Sequence, residues 1–100
     1  MITCFVTYKI DPQKTAEFET FAKNWIRLVN GHGGTHHGYF LPAEGADDVA
    51  YALFSFESLA AYETYRQLFS TDEFKRANDY KYETGCVLRH DRTFMRPLFA

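Results

Sequence analysis

Gly38-Tyr39-Phe40-Leu41-Pro42-Ala43-Glu44-Gly45, then Val49-Ala50-Tyr51-Ala52-Leu53-Phe54-Ser55-Phe56-Glu57, then Ser58-Leu59-Ala60-Ala61-Tyr62-Glu63-Thr64-Tyr65-Arg66, reads as strand, turn, strand and capped helix. Pro42 through Asp48, with Gly45 inside, forms a hairpin connection, so strands over about 35–41 and 49–56 should pair antiparallel. Ser58 is placed to cap the helix, where Leu59, Tyr62, Tyr65 and Phe69 keep helical spacing. The same run holds no nucleophile paired with a base, no metal-ligand spacing and no phosphate loop. It fixes architecture and leaves the chemistry unwritten.

Working outward, Ile2 to Ile10 is rich in β-branched and aromatic residues and reads as a first strand. Asp11-Pro12 then supplies an N-cap and a proline at the first helical position. Phe18, Phe21, Ala22, Trp25, Leu28 and Val29 put one apolar stripe on a helix running to about Asn30, which Gly31-His32-Gly33-Gly34 ends. Past the second helix, Ser70-Thr71-Asp72-Glu73 reads as a capping box that opens a short extra helix closed by Gly85. A last strand follows over about 86–95, stopped by Pro97. The order is β-α-β-β-α-(α)-β over residues 1–100, a single domain of the α+β class with the ferredoxin-like arrangement.

Helices in that order cover one face of a four-stranded sheet, so the other face of a monomer should be polar. It is not. Ile2, Cys4, Val6, Tyr8 and Ile10 alternate with Thr3, Phe5 and Thr7, and Ala50, Ala52, Phe54 and Phe56 oppose Val49, Tyr51 and Leu53. A chain of 100 residues buries only roughly 60–65% of its unfolded surface, so a second copy is the expected cover for the bare face.

Charge narrows the partners. Eleven basic and 13 acidic residues give a net charge of -2, without the basic stripe that nucleic acid binding requires. No apolar run approaches the length needed to span a bilayer, and the amino terminus lacks a signal-peptide pattern, so the chain reads as a soluble cytoplasmic protein with no membrane partner. Cys4 and Cys86 fall near the beginnings of their strands, at opposite ends of an antiparallel ladder, and read as free thiols.

The elements together resemble the NIPSNAP family of the dimeric α/β-barrel superfamily. The matching residues are Gly38-Tyr39-Phe40, Glu44, Gly45, Val49, Leu53, Phe56-Glu57-Ser58-Leu59-Ala60, Tyr62-Glu63, Tyr65-Arg66, Asp72 and Arg92-Thr93-Phe94-Met95-Arg96-Pro97. His36-His37 does not map onto the family pattern. The resemblance implies a homodimer in which two sheets pack face to face into a barrel with helices outside. It leaves activity undefined, since relatives in the superfamily include cofactor-free monooxygenases, lactone isomerases and haem-handling enzymes.

Candidate site residues follow from polar groups on apolar elements. Geometry argues against His32, His36 and His37 as a metal site, because neighbours in a strand point to opposite faces and Gly33-Gly34 interrupts the spacing from His32 to His36. No histidine lies on a predicted helix to serve as an axial haem ligand, and no cofactor is expected. His37 is read as sharing a face with Tyr39 and Thr35, which makes it the candidate general base, ahead of His90. Arg92, on a matched family position, could fix a carboxylate or enolate. Trp25 and Tyr51 could contact an aromatic substrate or belong to the core. Two functions remain open: a homodimeric enzyme acting without cofactor on a small aromatic or enolisable compound, and a non-catalytic dimerisation or ligand-binding module.

Overall fold

The computed structural model describes residues 1–99. Strands β1 (Ile2–Ile10), β2 (Thr35–Phe40), β3 (Val49–Phe56) and β4 (Val87–Met95) form one antiparallel sheet in the order β2-β3-β1-β4. Helices α1 (Thr15–Gly31), α2 (Leu59–Arg66) and α3 (Asp72–Thr84) cover one face, with a 3-10 turn (Gln67–Ser70) joining α2 to α3. This is the ferredoxin-like α+β arrangement expected from the element order.

The helix-facing side follows the pleat. Cys4, Val6, Tyr8 and Ile10 of β1 and Ala50, Ala52, Phe54 and Phe56 of β3 are buried against Phe18, Phe21, Leu28 and Val29 of α1, Tyr62 and Tyr65 of α2, and Phe74 and Ala77 of α3. Aromatic edges and faces interlock through this layer, with Tyr65 to Phe74 centroids 5.5 Å apart and Phe18 to Tyr8 centroids 5.3 Å apart, the edge-to-face geometry that ring quadrupoles favour. Cys4 pairs across the ladder with Phe94, while Cys86 lies beside Asp11 at the other end, and both thiols are free and buried.

Three local expectations need correction. The first helix begins at Thr15, because the Asp11 carboxylate accepts the Gln13 N–H at 2.9 Å and its carbonyl accepts the Lys14 N–H, making a separate turn before the helix. No capping box forms before α3. Thr71 holds the N-cap position, and its hydroxyl turns back to the Leu68 carbonyl at 2.6 Å to finish the 3-10 turn. The extra helix is also not short: α3 has 13 residues and α2 has eight. Ser58 does cap α2, its Oγ accepting the Ala61 N–H at 3.1 Å.

A bulge in β2 sets which residues reach the helices. His36 pairs with Phe54, but Gly38 pairs with Leu53, so the ladder slips at His37, and Gly38 takes a φ of 104° that favours glycine. Strict alternation places His37 with Tyr39. The slip instead puts Tyr39 with His36 on the helix side, their rings stacked 4.9 Å apart, and sends His37 to the bare side.

The bare side carries Thr3, Phe5 and Thr7 of β1 and Tyr51, Leu53 and Ser55 of β3. Phe5 stacks on Tyr51 at 5.4 Å. Ser55 is buried although it faces this side, because Thr3 Oγ1 and His37 Nε2 each hydrogen-bond its hydroxyl at 2.7 Å. Phe40 and Met95 join this face and are exposed.

Candidate functional site

A cavity of about 90 Å3 lies between the sheet and the helices. Its walls are apolar: Val6 from β1, Phe21, Trp25 and Val29 from α1, Phe54 from β3 and Phe69 from the 3-10 turn. Polar groups enter from three strands and two helices. Tyr8 comes from β1, His36 and Tyr39 from β2, His90 and Arg92 from β4, Tyr62 and Tyr65 from α2, and Asn78 and Lys81 from α3. Among the described residues none that lines the cavity carries a carboxylate.

Arg92 is the organising charge. It pairs with Val6 in the ladder, so the pleat turns it to the helix side, where it stays exposed at the rim of the cavity and its Nη1 donates to Tyr62 Oη at 2.8 Å. Arg66 donates to the same oxygen at 3.4 Å. One phenol therefore holds two guanidinium groups at the α2 edge of the cavity.

The titratable groups around it are held neutral. Burial pushes the Tyr8 phenol up to about 12 despite the opposing effect of Arg92, and it raises Tyr39 and Tyr65 further above the phenol range. These phenols remain protonated donors at neutral pH. Burial, helped by the charge of neighbouring His37, brings His36 down to about 4. Burial also lowers His90, with Lys81 and Arg92 adding to the effect. Cys4, under the same floor, is pushed up to about 11 by burial and is a protonated thiol.

Hydrogen bonds fix the tautomers of both imidazoles. The Gly38 N–H donates to His36 Nδ1 at 2.9 Å, so the ring proton of His36 resides on Nε2. Arg92 Nη2 sits 3.5 Å from His90 Nε2. A guanidinium can only donate, so that nitrogen is the acceptor.

Of the residues singled out from sequence, Trp25, Tyr39 and Arg92 meet in this cavity, and His90 joins them. His37 does not: the bulge moves it to the opposite face, bonded to Ser55. Tyr51 is also on that face, 38% exposed and stacked on Phe5. Sequence reasoning passed over His36, Tyr8, Tyr62, Tyr65 and Lys81. The tyrosines sit on core stripes and read as packing, and only the glycine after two histidines hinted at the slip that admits His36. Trp25 Nε1 is buried without a partner. Among the described residues no three His, Cys, Asp or Glu side chains converge to hold a metal ion, and no helix is long and apolar enough to cross a membrane.

A four-stranded antiparallel sheet with all helices on one face and a small cavity beneath them defines a ferredoxin-like α+β domain. The NIPSNAP family profile matches residues 3–99, and the chain belongs to that family. A protein from Agrobacterium tumefaciens is similar at 17% identity over 98% of this chain and 94% of that one, with a TM-score of 0.82. A second structure of that same protein, described as a NIPSNAP family protein with unknown function, gives 0.80 at 17% identity, covering 97% of this chain and 87% of that one. A candidate antibiotic biosynthesis monooxygenase from Nitrosomonas europaea shares 11% identity over 99% and 100% of the two chains, with a TM-score of 0.75. These similarities establish the fold. A search of curated proteins finds no significant match.

Proposed function

We propose that this NIPSNAP domain works as a homodimer joined through its bare sheet face, and that each chain's cavity takes a small aromatic or enolisable compound for cofactor-free oxidation or isomerisation. The observation that carries this reading is Arg92, held by Tyr62 at the edge of an apolar cavity with no lining acid to neutralise it. A guanidinium in such surroundings stabilises a phenolate or enolate, the electron-rich form that reacts with oxygen or shifts a double bond. The fold shared with the candidate monooxygenase from Nitrosomonas europaea is compatible with that chemistry. Two unpaired thiols suit a reducing compartment, and we place the protein in the cytoplasm.

The test is turnover of a panel of quinols and enol lactones, followed by oxygen uptake and absorbance. Arg92→Met should lower kcat/KM by about 10- to 100-fold, the worth of one charge-assisted hydrogen bond, with an unchanged circular dichroism spectrum. A wild type that neither turns over nor binds any member overturns the reading. One observation favours a binding module without turnover: the Nδ1 acceptor of His36 is already occupied by the Gly38 N–H. Saturable binding with no turnover across the panel would select that alternative.

A further inference from the structure

The same cavity says which form of the ligand it takes, an inference that rests on the ligand site proposed above. An enzyme that ionises a phenol or enol needs a base with a free lone pair near the ligand. The two imidazoles that line this cavity have no such pair to give. His36 Nδ1 accepts from the Gly38 backbone and its other nitrogen carries the proton. His90 Nε2 faces the Arg92 guanidinium.

None of the remaining polar groups is a base near neutral pH. Tyr8, Tyr39 and Tyr65 are protonated phenols, and Arg92 and Lys81 supply positive charge from β4 and α3. Tyr62 spends its oxygen on Arg92 and Arg66. Asn78, with one amide, offers the one uncharged acceptor from α3. His37, which keeps an imidazole on the protein's other face, cannot reach in through the sheet.

We propose that the cavity selects ligands that arrive already ionised: acidic phenols and enols, whose own substituents carry their titration to near-neutral pH. The protein supplies the counter-charge and the donors, and proton removal is left to bulk water before entry. Apparent affinity is then the affinity for the anion multiplied by the ionised fraction. Neutral phenols of the same shape bind more weakly because they gain no charge-to-charge attraction from Arg92 and Lys81.

Fluorinated phenols test this, since fluorine changes acidity with little change in size. The chain has one tryptophan, and Trp25 lines the cavity, so its fluorescence reports occupancy directly. At fixed neutral pH, Kd should fall by nearly tenfold for each unit by which the phenol's own pKa falls, and level off once the phenol is fully ionised. Arg92→Met should flatten the series. Equal affinity from phenol to pentafluorophenol would overturn the selection while leaving the ligand site intact. If no phenol binds the wild type at all, both the selection and the site reading fall.

Discussion

Replacing His36 with asparagine should remove part of the acid sensitivity of this fold. The oxygen of the introduced amide can take the place of imidazole Nδ1 in accepting the Gly38 N–H, so the bulge keeps its hydrogen bond while the titrating ring is lost. Burial lowers His36 from an ordinary 6.5 to about 4. The unfolded chain therefore binds a proton below pH 6.5 that the folded chain refuses until about pH 4. The sign follows: stability contributed by the neutral ring is full above pH 6.5, falls as pH drops, and stops falling below about pH 4. Each pH unit in that window costs at most about 1.4 kcal/mol. His36 is partly exposed, and with solvent screening the total loss comes to roughly 1–2 kcal/mol. Urea unfolding of both proteins at pH 7.5 and pH 4.5 isolates this contribution, since the carboxylates titrate equally in each. The wild type should lose about 1–2 kcal/mol more than His36→Asn over that range. Parallel losses would refute the buried, neutral imidazole and with it the tautomer on which the donor-lined cavity rests.

Other perturbations probe the scaffold. Gly34→Ala places a Cβ 2.7 Å from Phe56 Cζ and 2.7 Å from Val29 Cγ1, an overpacking worth about 1–3 kcal/mol, and thermal unfolding should show the lowered Tm. Lys14→Met removes the ammonium that donates to the Thr84 carbonyl at the end of α3, costing about 1 kcal/mol, measurable by urea denaturation. Tyr51→Asp puts a charge beside Phe5 on the bare face. By sedimentation the wild type should have twice the mass of the variant, whose circular dichroism is retained, and equal masses would remove the proposed dimer interface.

The strands, the α1 stripe and the Ser58 cap were legible because each is a local pattern: period two, spacings of three and four, and a hydroxyl before a helix. The capping box at Ser70 misled because the same hydroxyls can finish a preceding turn, and sequence does not say which carbonyl they will find. The site was half legible. Trp25 follows from helical periodicity and Arg92 from its matched family position, but one inserted residue at His37 exchanges the faces of two histidines, and a bulge is a tertiary decision of β2 against β3. Tyr8, Tyr62 and Tyr65 share positions with core residues, and only the packing shows that they border a cavity.

The most direct test is a crystal structure of the protein with pentafluorophenol at neutral pH. The ring should lie between sheet and helices with its oxygen within hydrogen-bond distance of Arg92. A ligand bound elsewhere, or one in the cavity with its oxygen turned away from the guanidinium, would contradict the account.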